Sequence, residues 1–312
     1  MHCFNDRFAA MGTEVTVTIV DASPGLLGRA RDRIAELERR WSRFDPASDI
    51  SRLNEADGRM LTVATETITL LTRACEGFAL THGRFDPFQL DALERIGYRA
   101  SFETIDRPVV GQPTADSPSF RSDGCDGRVE IDVDSGRVAF ARGLRFDAGG
   151  IGKGLAADLV ADELRGLGAA GVCVNVGGDV RVAGVSPEAG GWVVAVRDRE
   201  ADEPIALLAG IDGGVATTSR SRRHWRAANG AEYHHVIDPA TRTSAATPVV
   251  HATAVAAMAW QAEVLSKVAF LDGAGGIDVA ERLGATAMVA TVDTVITGLG
   301  WSQYERSLES IA

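Results

Sequence analysis

Between residues 171 and 219 the chain runs through GVCVNVGGDVRVAG, WVVAVRD, PIALLAGI and GGVATTS, short segments rich in valine and separated by glycines and other turn formers. Read by period and composition, this is several short strands in succession, and it makes the second half of the chain rich in sheet. An all-helical fold is excluded from the outset.

Helical signals flank this stretch. TEVTVTIVD (13–21) alternates threonine with apolar β-branched residues, which predicts a half-buried strand. From about Leu26 to Trp41 the period changes: Leu27, Ala30, Ile34, Leu37 and Trp41 recur at intervals of three and four, the spacing of an amphipathic helix. Residues 42–59 carry the Pro, Asp, Ser, Asn and Gly of a loop, and 65–83 returns to helical spacing with a glycine at its end suited to a C-cap. The segment 104–127 holds three of the ten prolines and little periodicity, so it reads as a long connection and the best internal seam of the chain 1–312. A hairpin is expected over 129–141, a glycine-rich loop opening a helix over 146–168, helices over 254–272 and 277–284, and a strand over 286–293.

Charge narrows the function classes. Lys plus Arg is 32 against 43 for Asp plus Glu, a formal net charge of −11, and so acidic a surface repels a phosphate polyanion; nucleic-acid binding is not expected. Cys3, Cys75, Cys125 and Cys173 are far apart and form no CxxC pair, so they read as reduced thiols. The N-terminus lacks the pattern of a secretory signal, and no stretch approaches the roughly 20 apolar residues that span a bilayer. A cytoplasmic chain with no membrane insertion is the expectation.

Three motifs carry chemistry. In DAGGIGKG (147–154), glycines 149, 150, 152 and 154 surround Lys153, which suits either a bound phosphate or a plain tight turn. It is not the GxxxxGK[ST] of a nucleoside triphosphate loop, because Gly154 follows the lysine. NVGGDV (175–180) is equally a ligand-approaching bulge or an ordinary hairpin corner. YHHVIDPATR (233–242) sets His234 and His235 on opposite sides of a short strand, so at most one faces a given site, with Asp238 and Pro239 in the turn that ends it. Arg220, Arg222, Arg223 and Arg226 are a local basic group that fits a diphosphate, a partner's acidic loop or a solvated face.

Taken in order, these pieces resemble the ApbE family, the FAD:protein FMN transferases. The resemblance spans nearly the whole chain: AMGTEVTV (10–17), WSRFDPASDISRLN (41–54), GRFDPFQLDALERIGY (83–98), FDAGGIGKGLAAD (146–158), NVGGDV, GVATTS, HHVIDPATR and AEVLSK (262–267). It implies an α+β fold of mixed or antiparallel sheets with packed helices, in a T-fold-related, ApbE-like architecture of one lobe or two.

The resemblance also implies an FAD site contacted by Met11, Phe44, Glu94, Arg95, Ile96, Asp147, Lys153 and Ile237, with FAD as substrate. It implies a Mg²⁺ ion held by the main-chain oxygen of Gly150 and by Glu263, where the family usually has an aspartate. The implied reaction moves FMN from FAD to a Thr or Ser hydroxyl of a target flavoprotein and releases AMP. His235 is the candidate general base and Asp238 its candidate orienter. With water as acceptor the same site becomes a Mg-dependent FAD diphosphatase, and with chemistry lost it becomes a flavin-binding protein. The chain departs from the family pattern at Phe88, Arg220 and Arg242, and most sharply at Lys267, which stands where a threonine metal ligand is usual. Protonated lysine cannot ligate a cation, and at i, i+4 from Glu263 it either forms an ion pair on the helix or replaces part of the metal's charge.

Overall fold

The computed structural model describes residues 1–102, 125, 127–197, 204–221, 223–228 and 230–306. The seam expected at 104–127 therefore lies outside the described residues except for Cys125 and Gly127, and so does Arg222.

In chain order the first elements are β1 (Cys3–Ala10), β2 (Thr13–Val20), α1 (Gly25–Trp41), α2 (Asp49–Glu55), β3 (Leu61–Thr62), α3 (Thr65–Leu80), α4 (Leu90–Arg95), β4 (Val129–Asp132) and β5 (Arg137–Phe140). After a 3-10 turn at Ala148–Gly150 come α5 (Gly152–Gly166), β6 (Gly171–Val176), β7 (Asp179–Gly184), β8 (Val193–Arg197), β9 (Pro204–Ala209) and β10 (Gly213–Ser219). The remainder is β11 (His224–Arg226), β12 (Glu232–His234), β13 (Ile237–Asp238), β14 (Thr243–Ser244), β15 (His251–Ala256), α6 (Ala259–Asp272), α7 (Ala274–Arg282), β16 (Thr286–Ala290), β17 (Val295–Thr297) and β18 (Glu305–Arg306).

The chain packs as two compact units, the first from Met1–Glu36, Lys153–Arg222 and Thr247–Ala312, the second from Leu37–Gly152 and Arg223–Ala246. In the first unit an eight-stranded sheet runs β1-β2-β6-β7-β10-β15-β16-β17, every neighbouring pair antiparallel. A three-stranded sheet, β18-β9-β8, is likewise antiparallel. Two tight turns set the register of the large sheet. Met11 and Gly12 (φ +53° and +62°) join β1 to β2, and Gly177 and Gly178 (φ +65° and +99°) join β6 to β7, the left-handed pairs that match strand twist. NVGGDV is thus a hairpin corner, although a Cβ on Gly177 would come within 2.4 Å of Thr13 Oγ1, so the turn also needs glycine for space.

The alternation of β2 sends Val15, Val17 and Ile19 to one face, where they pack with Ala30 and Ile34 of α1 and with Ala157, Val160, Ala161 and Leu164 of α5. On the other face Val20, Val180, Val182, Val255 and Met288 pack with Trp192, Leu208 and Trp301. The sheet is buried on both faces, between helices and the smaller sheet.

The second unit is built of α2, α3, α4, the end of α1 and three small antiparallel sheets, β3-β5-β4, β11-β12 and β13-β14. Its satellite core joins Ala92, Leu93, Ile96 and Tyr98 to Trp225 and Ile237.

Several expectations are corrected. The loop 42–59 contains α2, which Ser48 starts by accepting the Ser51 N–H at 3.0 Å while Ile50 and Leu53 are buried. The glycine at the end of α3 is left-handed (φ +76°) but is preceded by a second left-handed residue: His82 takes φ +50°, its N–H donates to Ala79 O (3.1 Å), and the Gly83 N–H donates to Phe78 O (2.8 Å). This is a Schellman ending with histidine at C′. Residues 254–256 belong to strand β15 rather than to a helix from 254, because HATAVA pairs on both sides with β10 and β16. His235 lies beyond the end of β12.

Candidate functional site

In the first unit the glycine-lysine-glycine run opens α5. A Cβ on Gly154 would stand 2.5 Å from Ala259 O, so only glycine lets the start of α5 approach the start of α6 this closely. The two helix starts cap each other. The Gly154 N–H donates to Glu263 Oε2 at 2.8 Å, while the Ala259 and Trp260 N–H groups donate to Asp158 Oδ1 and Oδ2 at 2.8 and 2.9 Å. Each carboxylate thus satisfies helix-terminal amides that have no partner within their own helix. Burial pushes Asp158 up to about 7, against the pull of those two N–H groups and of Arg181 at 3.4 Å.

Beside this junction lie four charged side chains of the first unit. Lys153 Nζ donates to Asp179 and, at 3.1 Å, to Glu263 Oε1; Lys267 Nζ donates to the same oxygen at 3.2 Å and to the Glu263 carbonyl at 3.4 Å. Glu263 is 1% exposed, and Asp179 is buried as well. Burial and the neighbouring Glu263 charge raise Asp179 above the usual carboxylate range. Burial also works on Glu263, but Lys153, Lys267 and the Gly154 N–H outweigh it and hold the carboxyl below its ordinary value. Ser266 Oγ donates to the Glu263 carbonyl (3.0 Å) and shares a hydrogen bond with Thr218 Oγ1 (2.8 Å). Met11, also in this unit, sits in the β1–β2 turn, half-buried against the core.

In the second unit, Arg43 is the centre of a different arrangement. Its guanidinium lies 4.2 Å from the centroid of the Phe44 ring and 4.5 Å from that of Tyr98, its Nε pairs with Asp147 Oδ1 at 3.0 Å, and Nη2 donates to Tyr98 O at 3.0 Å. Tyr98 in turn packs on Trp225 (centroids 5.5 Å apart), whose Nε1–H donates to Ile96 O at 2.9 Å. Phe44 is the exposed member, at 42%. The Asp147 N–H donates to Pro87 O (2.9 Å), which ties the start of DAGG to the FDP turn. Glu94 is clamped by Arg145 through two hydrogen bonds of 2.6 and 3.0 Å; Arg95 ends α4, and Ile96 is buried behind it. Gly150 closes the 3-10 turn.

The two histidines separate by their partners. His234 Nδ1 lies 3.3 Å from the Val236 N–H and Nε2 lies 3.0 Å from Ala245 O, so Nδ1 accepts, Nε2 carries the proton, and the ring is a structural clasp. His235, half-buried, donates its backbone N–H to Arg223 O at 3.1 Å. The Asp238 carboxylate is taken up by Arg84 (2.5 Å) and the Ala240 N–H (2.9 Å), which together hold it below the usual range in spite of burial. Ile237 is buried in the satellite core. Met11, Lys153 and Glu263 therefore stand in the first unit, and Phe44, Glu94, Arg95, Ile96, Asp147, Gly150, His235, Ile237 and Asp238 in the second. Arg43, Arg84, Tyr98, Asp158, Asp179 and Trp225 complete these groups, although no motif argument singled them out.

The sequence pattern of the ApbE family matches residues 11–289. The chain belongs to the ApbE family. Among its ApbE relatives are FAD:protein FMN transferases of Vibrio cholerae, 25% identical over 241 residues that cover 74% of this chain and 70% of the relative, and of Klebsiella pneumoniae, 26% identical over 264 residues that cover 81% and 74%. The fold is shared with the crystal structure of an ApbE protein from Thermotoga maritima, at TM-score 0.83 and 24% identity over 98% of this chain and 100% of the other. It is also shared with the apo flavinyl transferase ApbE of Pseudomonas stutzeri, at TM-score 0.78 and 22% identity over 97% and 96%.

The Mg²⁺ ion that the resemblance implies does not fit the donors at Glu263. Oε2 is committed to the Gly154 N–H and Oε1 to two ammonium groups, so both carboxylate oxygens there already have partners other than a metal ion. Among the described residues, no group of three or more His, Cys, Asp or Glu could hold a metal ion.

Proposed function

We propose that this ApbE protein transfers the FMN moiety of FAD to a threonine or serine hydroxyl of a target flavoprotein. The acceptor oxygen bonds to the FMN-side phosphorus, the bridging P–O bond breaks, and AMP departs with the bridging oxygen. The observation that carries this reading is the family match over residues 11–289, which runs through every candidate residue from Met11 to Glu263.

In this reading Lys153, at the positive end of α5, offsets the charge of the diphosphate, the main obstacle to attack on phosphorus. Phe44, backed by Arg43 and Tyr98, offers a ring face to a flat nucleotide group. His235 accepts the proton of the incoming hydroxyl as the new bond forms. Arg84, which holds the Asp238 carboxylate, fixes the turn just after it.

The cytoplasm is the compartment we assign. It suits four cysteines without disulfides, one of which, Cys173, is pushed up to about 12 by burial and is thereby unreactive. Among the described residues no helix is long and apolar enough to cross a membrane.

The test is to incubate the protein with FAD and a flavoprotein carrying an acceptor threonine, then read flavin fluorescence of the acceptor on a denaturing gel and AMP by chromatography. A fluorescent acceptor with matching AMP is expected, and His235→Ala should lose both by about 10² to 10⁴-fold. AMP without labelled acceptor would make the protein a diphosphatase, and flavin binding with no AMP would make it a binding protein.

A further inference from the structure

Lys267 and Glu263 lie one turn apart on α6, so the helix itself fixes the ammonium against the carboxylate. With Lys153 and Asp179 they form a cluster of two part-exposed ammonium groups and two buried carboxylates, already neutral without any bound ion.

We propose that Lys267 is a built-in cation that occupies the role of a divalent metal at Glu263, and that the chemistry of this site runs without a metal ion there. The inference deepens the flavin-transfer reading and rests on it.

Three observations carry it. The first is charge: an added divalent ion would leave two uncompensated positive charges beside a glutamate that is 1% exposed, an unfavourable burial of charge. The second is coordination. Mg²⁺ requires about six oxygens at about 2.1 Å, yet Glu263 Oε2 is engaged by the Gly154 N–H, its Oε1 by two lysines, one Asp179 oxygen by Lys153, and the Ser266 and Thr218 hydroxyls by each other. Releasing Oε2 would also uncap the start of α5. The third is donor count. An ammonium donates three hydrogen bonds, and Glu263 supplies acceptors for two of those of Lys267. With its side chain 17% exposed, Lys267 keeps one N–H for a phosphate oxygen. The charge a metal would bring to a diphosphate thus arrives on a covalent tether.

Manganese(II) is the probe, with bound ion counted by electron paramagnetic resonance with and without FAD. The native chain is expected to take up no Mn²⁺ beyond what FAD alone holds in the same buffer, and its FMN transfer to change less than about twofold on adding a chelator. Lys267→Thr removes the tethered cation and adds a hydroxyl ligand; it is expected to gain one Mn²⁺ per chain and to lose about 10²-fold in transfer when chelator is present. One Mn²⁺ bound by the native chain and released by Glu263→Gln would overturn the proposal, and that count stands even if Lys267→Thr does not fold. FAD binding is followed separately by flavin fluorescence. A chain that ignores FAD defeats the flavin-transfer reading, while the Mn²⁺ count still decides the role of Lys267.

Discussion

In the first unit, two lysines meet the buried Glu263 carboxylate near the start of α5, where Glu263 also caps the Gly154 amide. In the second unit arginines lie on rings or pair with carboxylates: Arg43 between Phe44 and Tyr98, Arg145 forked onto Glu94, Arg84 on Asp238 through one hydrogen bond. Lysine is a compact point charge that can approach one oxygen of a phosphate, whereas the flat guanidinium stacks and holds a plane. The first arrangement gathers two positive and two negative groups at a helix start. The second orients aromatic surface and loops. The difference implies that substitutions in the first unit damage folding and charge balance together, while those in the second loosen orientation at a smaller loss of stability.

The largest test of that contrast is Glu263→Ala. It leaves two lysines facing Asp179 alone and uncaps Gly154, and should destabilise the protein by about 3 to 5 kcal/mol in urea denaturation.

Asp158 supplies a pH signature. Because burial lifts its folded value to about 7 from 3.8, the folded chain holds a proton between those values that the unfolded chain releases. Its contribution to stability is therefore full below about pH 4, declines by about 1.4 kcal/mol per pH unit as pH rises, and is level above about pH 7. Denaturation across this range should show the native chain losing stability more steeply than Asp158→Asn, by about 1.4 kcal/mol per pH unit. A parallel pair of curves would refute the assignment.

Gly154→Ala forces a methyl into Ala259 O and should cost about 1 to 3 kcal/mol, read as a lower midpoint. In the second unit, Trp225→Phe strands the buried Ile96 carbonyl and should cost about 1 to 3 kcal/mol. Arg43→Lys keeps the charge but loses the stack and the fork. It should cost about 0.5 to 2 kcal/mol and weaken FAD binding in a fluorescence titration. If the two arginine-region variants proved as damaging as Glu263→Ala, the contrast between the units would fail.

What could be read from the sequence was local. The three- and four-residue spacing of Leu27, Ala30, Ile34 and Leu37 revealed α1, and the alternation in TEVTVTIV revealed β2. By contrast β1, CFNDRFAA, mixes charged residues into a strand at the sheet edge, and the short α2 is hidden among turn formers that serve as its cap. The site divided in the same way. Lys153 stood out among glycines, but Asp158 acts on residues 101 and 102 positions away and Arg84 on one 154 positions away, pairings that no local pattern encodes. Only hydrogen-bond partners distinguish His234 from His235, since adjacent identical residues carry no signal of which ring the backbone has claimed.

The mutual capping of α5 and α6 has a mechanical result. Each helix start is latched by a side chain rooted in the other, so a slip of either by one residue would undo three hydrogen bonds at once. The amides of Gly154, Ala259 and Trp260 should then exchange with solvent as a single cooperative event.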